Sequence, residues 1–190
     1  MSQITVGFAM CGSFCTFHKP LPEMENLVRR GYRVLPIMSQ TAYATDTRFG
    51  KAADFNEKIA QITGNPIIHT VFAAEPIGPK KLLDALVIAP ATGNTLAKLA
   101  NGITDTSVTL ACKAHLRNER PVLLAVSTND ALGTAAKNIG LLMNAKHIFF
   151  VPMRQDDVQN KPNSVVADFT KIPDALERAL KEEQIQPILL

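Results

Sequence analysis

Short, continuous runs of apolar residues recur along the chain, and segments with helical periodicity separate them. Six such runs predict strands: Ile4–Met10, Arg33–Met38, Ile67–Phe72, Ala85–Ala89, Val122–Val126 and His147–Val151. Runs that do not alternate with polar residues are typical of strands covered by helices on both faces. Strands that alternate with helices predict a parallel sheet. We therefore expect an α/β fold with three layers, in which helices cover both faces of a doubly wound parallel sheet of about six strands.

The helical segments have recognisable ends. A helix is predicted over Pro22–Arg30, because Gly31 suits a C-terminal cap and Arg29 and Arg30 complement the helix dipole. Other helices are predicted at Asp54–Thr63, Thr95–Ala100, Asp105–Arg117, Ala131–Asn144 and Ile172–Glu183. The polar stretch Arg154–Ser164 has neither period and is predicted to be a long surface loop. No linker or internal repeat divides the sequence, so residues 1–190 are predicted to form a single domain.

Charge and cysteine content exclude several classes of function. The 20 basic and 17 acidic residues are scattered without runs of like charge, so neither a nucleic-acid nor a membrane-surface partner is expected. The N-terminal residues lack the basic start and apolar stretch of a signal peptide, so no leader is expected, and no apolar segment approaches membrane-spanning length. Its cysteines, Cys11, Cys15 and Cys112, have no metal-ligand spacing, so no metal site is expected. A cytoplasmic protein is the expectation.

Small hydroxyl and amide side chains follow four of the predicted strands. They lie in four segments: Gly12-Ser13, Ser39-Gln-Thr41, Pro90-Ala-Thr-Gly-Asn-Thr95 and Ser127-Thr-Asn-Asp130. Each segment alone could simply cap the next helix. In an open α/β sheet, however, ligands bind beyond the carboxyl ends of the strands, so their coincidence predicts a shared pocket for a polar ligand. Neither the GxGxxG dinucleotide fingerprint nor the GxxxxGK[ST] P-loop is present.

The turn Pro90–Thr95, with the following Ala97-Lys-Leu-Ala-Asn-Gly-Ile-Thr-Asp105, resembles the PASANT segment of a flavoprotein family. This family includes flavin-dependent cysteine decarboxylases, phosphopantothenoylcysteine decarboxylases and prenyl-flavin synthases. Gly12-Ser13 resembles its first phosphate-binding loop, and Ser127-Thr-Asn129 stands where the family has Pro-Ala-Met-Asn. The resemblance covers residues 4–150, and it implies a Rossmann-like, flavodoxin-like fold and FMN as cofactor.

The same resemblance implies which residues bind FMN. Gly12, Ser13 and Phe14 would line the phosphate and ribityl region, and Ser39 would donate its hydroxyl to the phosphate. The isoalloxazine ring and ribityl chain would contact four residues of the PASANT-like turn: Ala91, Thr92, Asn94 and Thr95. The ring would be contacted from its other side by Ser127 and Asn129.

Two departures from the decarboxylases change the expected chemistry. Their catalytic histidine would fall at about Pro76, and their PxMNxxMW segment is replaced by Ser127–Gly133. Cysteine decarboxylation is therefore not expected. His69 and Glu75 are the candidate proton-transfer residues, because histidine titrates near neutrality and a carboxylate can act as a base. Each could equally be a structural or solvated residue.

Four segments carry a closer resemblance to one branch of the family, found in spore-forming bacteria: Cys11–Phe14, His69–Pro79, Ala89–Thr95 and Val151–Asp157. This branch implies the B subunit of an oxidoreductase in the mother cell during sporulation. Together with an NAD(P)-dependent A subunit, it would convert a dihydrodipicolinate precursor to dipicolinic acid. Because the substrate is a small dicarboxylate, Arg154 and Lys80 are candidate clamps. Relatives form trimers and dodecamers, so a homo-oligomer is expected.

Two other functions remain open at this point. The chain could be a non-catalytic scaffold or activator of the A subunit, which the missing decarboxylase histidine favours. It could also be a flavin-dependent decarboxylase, which would require a histidine in the cleft from elsewhere in the fold.

Overall fold

The computed structural model describes residues 3–190 of the chain. In this range, strands β1 to β7 are Thr5–Met10, Arg33–Met38, Ala85–Ala91, Val122–Thr128, Ile148–Phe150, Met153–Asp157 and Lys161–Ala167. Helices α1 to α8 are Pro20–Arg29, Gln40–Ala44, Ala52–Thr63, Val71–Ala74, Gly93–Ala100, Ser107–Leu116, Ala136–Met143 and Ile172–Ala179. Short 3₁₀ helices occur at Phe14–Thr16, Glu75–Ile77 and Phe169–Lys171. No helix in the described range is long and apolar enough to cross a membrane.

Strand β4 is where the parallel sheet changes character. The order β2-β1-β3-β4 is parallel throughout. The outer edge of β4 is then shared: β5 pairs with its start at Val122 in parallel, whereas β7 pairs with its end at Ser127 and Thr128 in antiparallel orientation. Strand β6 completes an antiparallel hairpin with β7. The β6–β7 hairpin therefore stands at the carboxyl edge of the sheet, where a ligand site was expected.

The sheet is buried on both faces. One layer, built largely by α1, α3 and α8, packs on side chains such as Phe8 and Val87. The other, built by α4 to α7, packs on Leu86 and Ile88 from the same strand β3 and on Leu124. Neighbouring residues of one strand thus enter opposite cores, which explains why the strand sequences carry no polar alternation. The three-layer, doubly wound fold class is confirmed, with a seven-stranded, mostly parallel sheet.

Two predicted elements are wrong. The run Ile67–Phe72 is not a strand: a single bridge joins Ile68 to Ile37, and Thr70 then accepts a hydrogen bond from Ala73 N and caps helix α4. The stretch Arg154–Ser164 is not a loop, because it lies within the β6–β7 hairpin. Its side chains are mostly exposed, so the strands leave no apolar period in the sequence.

The predicted helices are present with shifted ends. Helix α1 starts at Pro20 rather than Pro22, and Gly31 follows it with φ of +90°, the left-handed conformation that suits glycine. The helix predicted over Ala131–Asn144 begins only at Ala136, because a turn precedes it. The C-terminal helix starts at Ile172 as predicted and ends at Ala179.

Candidate functional site

A cleft of about 1130 Å³ lies at the carboxyl edge of the sheet. It is bounded by the loops that follow β1, β3 and β4 and by the β6–β7 hairpin. The described residues that line it are Gly12, Ser13, Phe14, Cys15, Thr16, His18, Lys19, Phe49, Thr92, Gly93, Asn94, Ser127, Thr128, Asn129, Asp130, Asp156 and Lys161–Val166. Three of the four polar segments singled out in the sequence therefore meet in one cavity, as the strand-end argument predicts.

A hydroxyl cluster joins two walls of the cleft. Ser13 Oγ and Ser127 Oγ lie 3.2 Å apart, although the residues are far apart in sequence. Thr16 donates its hydroxyl to Ser13 Oγ at 2.9 Å and to the Ser13 carbonyl at 2.8 Å. This cluster fixes the loop after β1 against the end of β4, so that Ser13 and Ser127 present hydroxyls to the same point of the cleft.

The turn between β3 and α5 forms the third wall. Thr92 Oγ1 accepts a hydrogen bond from Thr95 N and caps α5, leaving Gly93 and Asn94 as the first residues of the helix. A Cβ at Gly93 would lie 2.6 Å from Thr128 Oγ1 and 2.8 Å from Asp130 Oδ1. Glycine therefore lets the helix start come close to the β4 loop, where the positive end of the helix dipole faces the cleft.

The structure brings most of the predicted cofactor residues together. Those that line the cleft are Gly12, Ser13, Phe14, Thr92, Asn94, Ser127 and Asn129. Three others do not line it. Ser39 accepts a hydrogen bond from Ala42 N and caps the five-residue helix α2, Ala91 is buried within β3, and Thr95 is buried behind Thr92 with their hydroxyls 3.0 Å apart. The cofactor contacts predicted for these three residues stay predictions.

The predicted catalytic and clamping residues lie elsewhere. His69 stacks on Tyr43, with ring centroids 3.7 Å apart and planes nearly parallel. Glu75 is an exposed residue at the start of a 3₁₀ helix. None of His69, Glu75, Lys80 and Arg154 is among the residues lining the cleft. Their placement gives no support to the roles predicted from sequence.

Charged residues that the sequence analysis missed stand at the rims of the cleft. His18 and Lys19 are exposed and immediately precede α1. On the hairpin wall, Lys161 Nζ lies 3.5 Å from Asp156 Oδ2. No sequence pattern marks His18 or Lys19, because neither follows a strand directly. The hairpin residues were missed because their segment was predicted to be a loop.

Two buried thiols, Cys11 and Cys112, lie outside the cleft lining. Burial raises the pKa of Cys11 to about 11, although a hydrogen bond with Thr95 opposes the shift. Burial likewise raises the pKa of Cys112 to about 12, and the nearby Cys11 adds to the shift. Both thiols therefore stay protonated at neutral pH and behave as small apolar side chains.

The donor set of the cleft suits a nucleotide-like ligand better than a metal ion. Hydroxyls, amides and the backbone at the start of α5 can bind a phosphate and a polyol chain. Phe14, Phe49 and Val166 add apolar surface for a flat ring. In residues 3–190, no group of three or more His, Cys, Asp and Glu side chains could hold a metal ion.

Comparisons with known proteins agree with this geometry. The model of the family described as Flavoprotein matches residues 1–179. The chain is 48% identical over 185 residues to the B subunit of dipicolinate synthase from Bacillus subtilis, covering 97% of this chain and 92% of that protein. The crystal structure of the B subunit of dipicolinate synthase from Bacillus halodurans C matches with a TM-score of 0.91 and 47% identity, covering 100% of this chain and 98% of the other.

The decarboxylase branch is more distant. The crystal structure of the FMN-dependent cysteine decarboxylase SpaF matches with a TM-score of 0.67 and 24% identity, covering 93% of this chain and 97% of the other. At that identity the likeness shows the shared fold alone.

Proposed function

The chain belongs to the Flavoprotein family, and from this premise we propose that it is the B subunit of a dipicolinate synthase, with FMN bound in the cleft. The observation that carries the proposal is the 48% identity, over 97% of the chain, to the B subunit of a dipicolinate synthase. The family assignment supports a flavin cofactor. FMN is the choice because the cleft combines hydroxyl donors with one helix N-terminus, and because no dinucleotide fingerprint is present.

The proposed reaction is the oxidation of a dihydrodipicolinate precursor to dipicolinic acid. The precursor loses two electrons and two protons as its ring becomes aromatic. The partner, the A subunit of dipicolinate synthase, would bind NAD(P), which accepts a hydride, while the second proton passes to solvent or to a base. This chain would engage NAD(P) only through that partner. The name of the relative, which designates it as one subunit of a synthase, supports the existence of such a partner.

Residues on three walls would hold the flavin. Gly12 and Ser13 would bind the phosphate together with the N-terminal turn of α5, where Asn94 lies. Ser127 and Asn129 would contact the ring from the β4 side. When bound, a flavin would supply a two-electron carrier between the substrate and the partner's NAD(P), which remains the final acceptor. The protein's own contribution is to orient it by the hydroxyl cluster and to keep it between the loops and the hairpin.

Cations at the rims would bind the dicarboxylate. Lys19 and His18 line the cleft from the segment before α1 and Lys161 lines it from the hairpin, so cations from two walls would pair with the two carboxylates. These residues replace Arg154 and Lys80, which do not line the cleft. His18 is also the one histidine in the described lining, so it becomes the leading candidate for proton transfer in place of His69 and Glu75.

One observation favours a second candidate function, a scaffold or activator of the A subunit. By the resemblance to the decarboxylases, their catalytic histidine would fall at about Pro76, which lies in a 3₁₀ helix outside the cleft lining. A flavoprotein decarboxylase would have to use His18 instead.

We extend the main proposal to one domain over residues 1–190, to a homo-oligomer of trimeric or dodecameric type, and to the mother-cell cytoplasm of a sporulating bacterium. Light scattering of the purified chain would test the oligomer.

Reconstitution with the A subunit of the same organism tests the function. Dipicolinate formation from dihydrodipicolinate and NAD(P) is measured with the isolated A subunit, with both subunits, and with a Lys19→Gln, Lys161→Gln double variant in place of this chain. The proposal expects activity only when both subunits are present, and a raised KM in the double variant. If the double variant stimulates the A subunit fully and leaves KM unchanged, the scaffold or activator function is supported. Full activity of the isolated A subunit would overturn both candidate functions.

A further inference from the structure

A second cavity, of about 390 Å³, lies between α5, the loop after it, and α6. Its walls are apolar: Leu99 from α5, Ile103 from the loop, Leu116 from α6 and Ile148 from β5. Small-molecule sites are typically mostly apolar cavities of roughly 300–1,000 Å³. The cavity therefore has the size and the lining of a ligand pocket, and it shares no lining residue with the cleft.

Two cations stand in this apolar lining. Lys113 and Arg117 are four residues apart at the C-terminal end of α6, so they lie on the same face of the helix. Both are exposed at the rim, and neither forms an ion pair with any residue in the described range. Glu119, the nearest carboxylate in sequence, forms no ion pair within the described range, and Asp105 is paired with Lys98 at 2.8 Å. The mouth of the pocket is therefore positively charged.

The floor of the pocket stays uncharged. Cys112 is buried at the floor, and its thiol is protonated at neutral pH for the reason given above. Thr109, also buried, has its hydroxyl bonded within the cap of α6, where it lies 2.9 Å from Thr106 Oγ1. The floor thus offers no free polar group, so a ligand's polar part must face the two cations.

We propose that this pocket binds a small amphiphilic anion, whose hydrocarbon part fills the space between α5 and α6 and whose carboxylate or sulfonate pairs with Lys113 and Arg117. A flat or branched hydrocarbon fits the apolar walls, and burying it supplies most of the affinity. The anion adds orientation, because a charge at the rim is partly screened by water.

Two matched fluorescent probes test the proposal. 1-Anilinonaphthalene-8-sulfonate carries the anion, and N-phenyl-1-naphthylamine has the same hydrocarbon without it. Arg117→Gln is expected to weaken sulfonate binding about three- to fivefold, the upper part of the range for a partly exposed charge pair. The same variant should change the affinity for the neutral probe by less than about twofold. Lys146→Gln, at an exposed cation outside the pocket, is the control and should change neither probe.

A filling variant tests the cavity itself. Leu116→Trp places an indole in the pocket and is expected to weaken both probes more than about tenfold, because the hydrocarbon loses its space. Leu141→Trp, at an exposed position of α7 outside the pocket, is the control. Thermal unfolding verifies that each variant is folded. The proposal would be overturned if neither Arg117→Gln nor Leu116→Trp changed the affinity for the sulfonate probe. It would also be overturned if Arg117→Gln weakened the binding of both probes equally.

Discussion

The cleft and the apolar pocket use opposite ends of helix α5. The cleft takes Gly93 and Asn94 from its first turn, whereas the pocket takes Leu99 from its last. The first cavity is built from strand-end loops with hydroxyl and amide groups, and the second from helix side chains. Strand ends converge for topological reasons, so polar residues there carry a signal of function. The space between two helices depends on side-chain packing, which the sequence pattern does not specify.

The largest effect should come from a negative charge in the cleft. Ser13→Glu places a carboxylate where the FMN phosphate is proposed to bind, at a cost of about 4 kcal/mol for two charges about 4 Å apart near a surface, or roughly a thousandfold in affinity. Flavin fluorescence quenching measures the dissociation constant. Ser39→Glu is the control: it removes the cap of α2 but lies outside the lining, so FMN affinity should hold.

If both variants bind FMN like the wild type, Ser13 does not contact the phosphate and the cleft loses its cofactor assignment. If Ser39→Glu loses binding as strongly as Ser13→Glu, the role first predicted for Ser39 is correct.

The next effect concerns α6, the helix that the pocket uses and the cleft does not. His115 is fully buried on α6, its Nε2–H donates to the Pro121 carbonyl at 3.1 Å, and burial lowers its pKa from 6.5 to about 4. Because the unfolded chain binds the proton first, stability is fully present above about pH 6.5 and falls as the pH drops toward 4. The expected loss is about 3 kcal/mol.

Urea unfolding across this pH range measures the loss. His115→Gln keeps a donor near Pro121 and removes the titration, so its free energy of unfolding should fall less steeply between pH 6.5 and 4. An identical slope in the variant would show that other groups cause the pH dependence.

A smaller effect separates ligand binding from fold stability. Ser127→Ala removes the hydroxyl 3.2 Å from Ser13 Oγ and should weaken FMN about three- to tenfold, the range for one neutral hydrogen bond. Ser107→Ala instead removes a buried hydroxyl that donates to the Met38 carbonyl. It should lower the free energy of unfolding by about 1–3 kcal/mol and leave FMN affinity unchanged.

Titration and urea unfolding of both variants check this pair. If the Ser107→Ala variant is fully folded but no longer binds FMN, the distinction between residues of the binding site and residues that stabilise the fold is contradicted.

The contrast between the two cavities also explains how far prediction from sequence could reach. The β3–α5 turn was predictable because an apolar run ends in small polar residues, which is the local signature of a strand feeding a helix. The β6–β7 hairpin was not predictable, because the parts of its two strands next to the turn are mostly exposed and therefore lack an apolar period. His18 and Lys19 reach the cleft only because the chain turns through a 3₁₀ helix before α1. The strand predicted around His69 is reduced to one bridge at Ile68, and His69 lies outside the cleft lining.

A crossed titration tests the central claim most directly. FMN is titrated into the purified chain saturated with 1-anilinonaphthalene-8-sulfonate, and the sulfonate is titrated into the chain saturated with FMN. Two separate sites predict that both ligands bind together, each with one site per chain and with affinity within about threefold of that for the free protein. Stoichiometric displacement of one by the other, or no FMN binding in either order, would contradict the account.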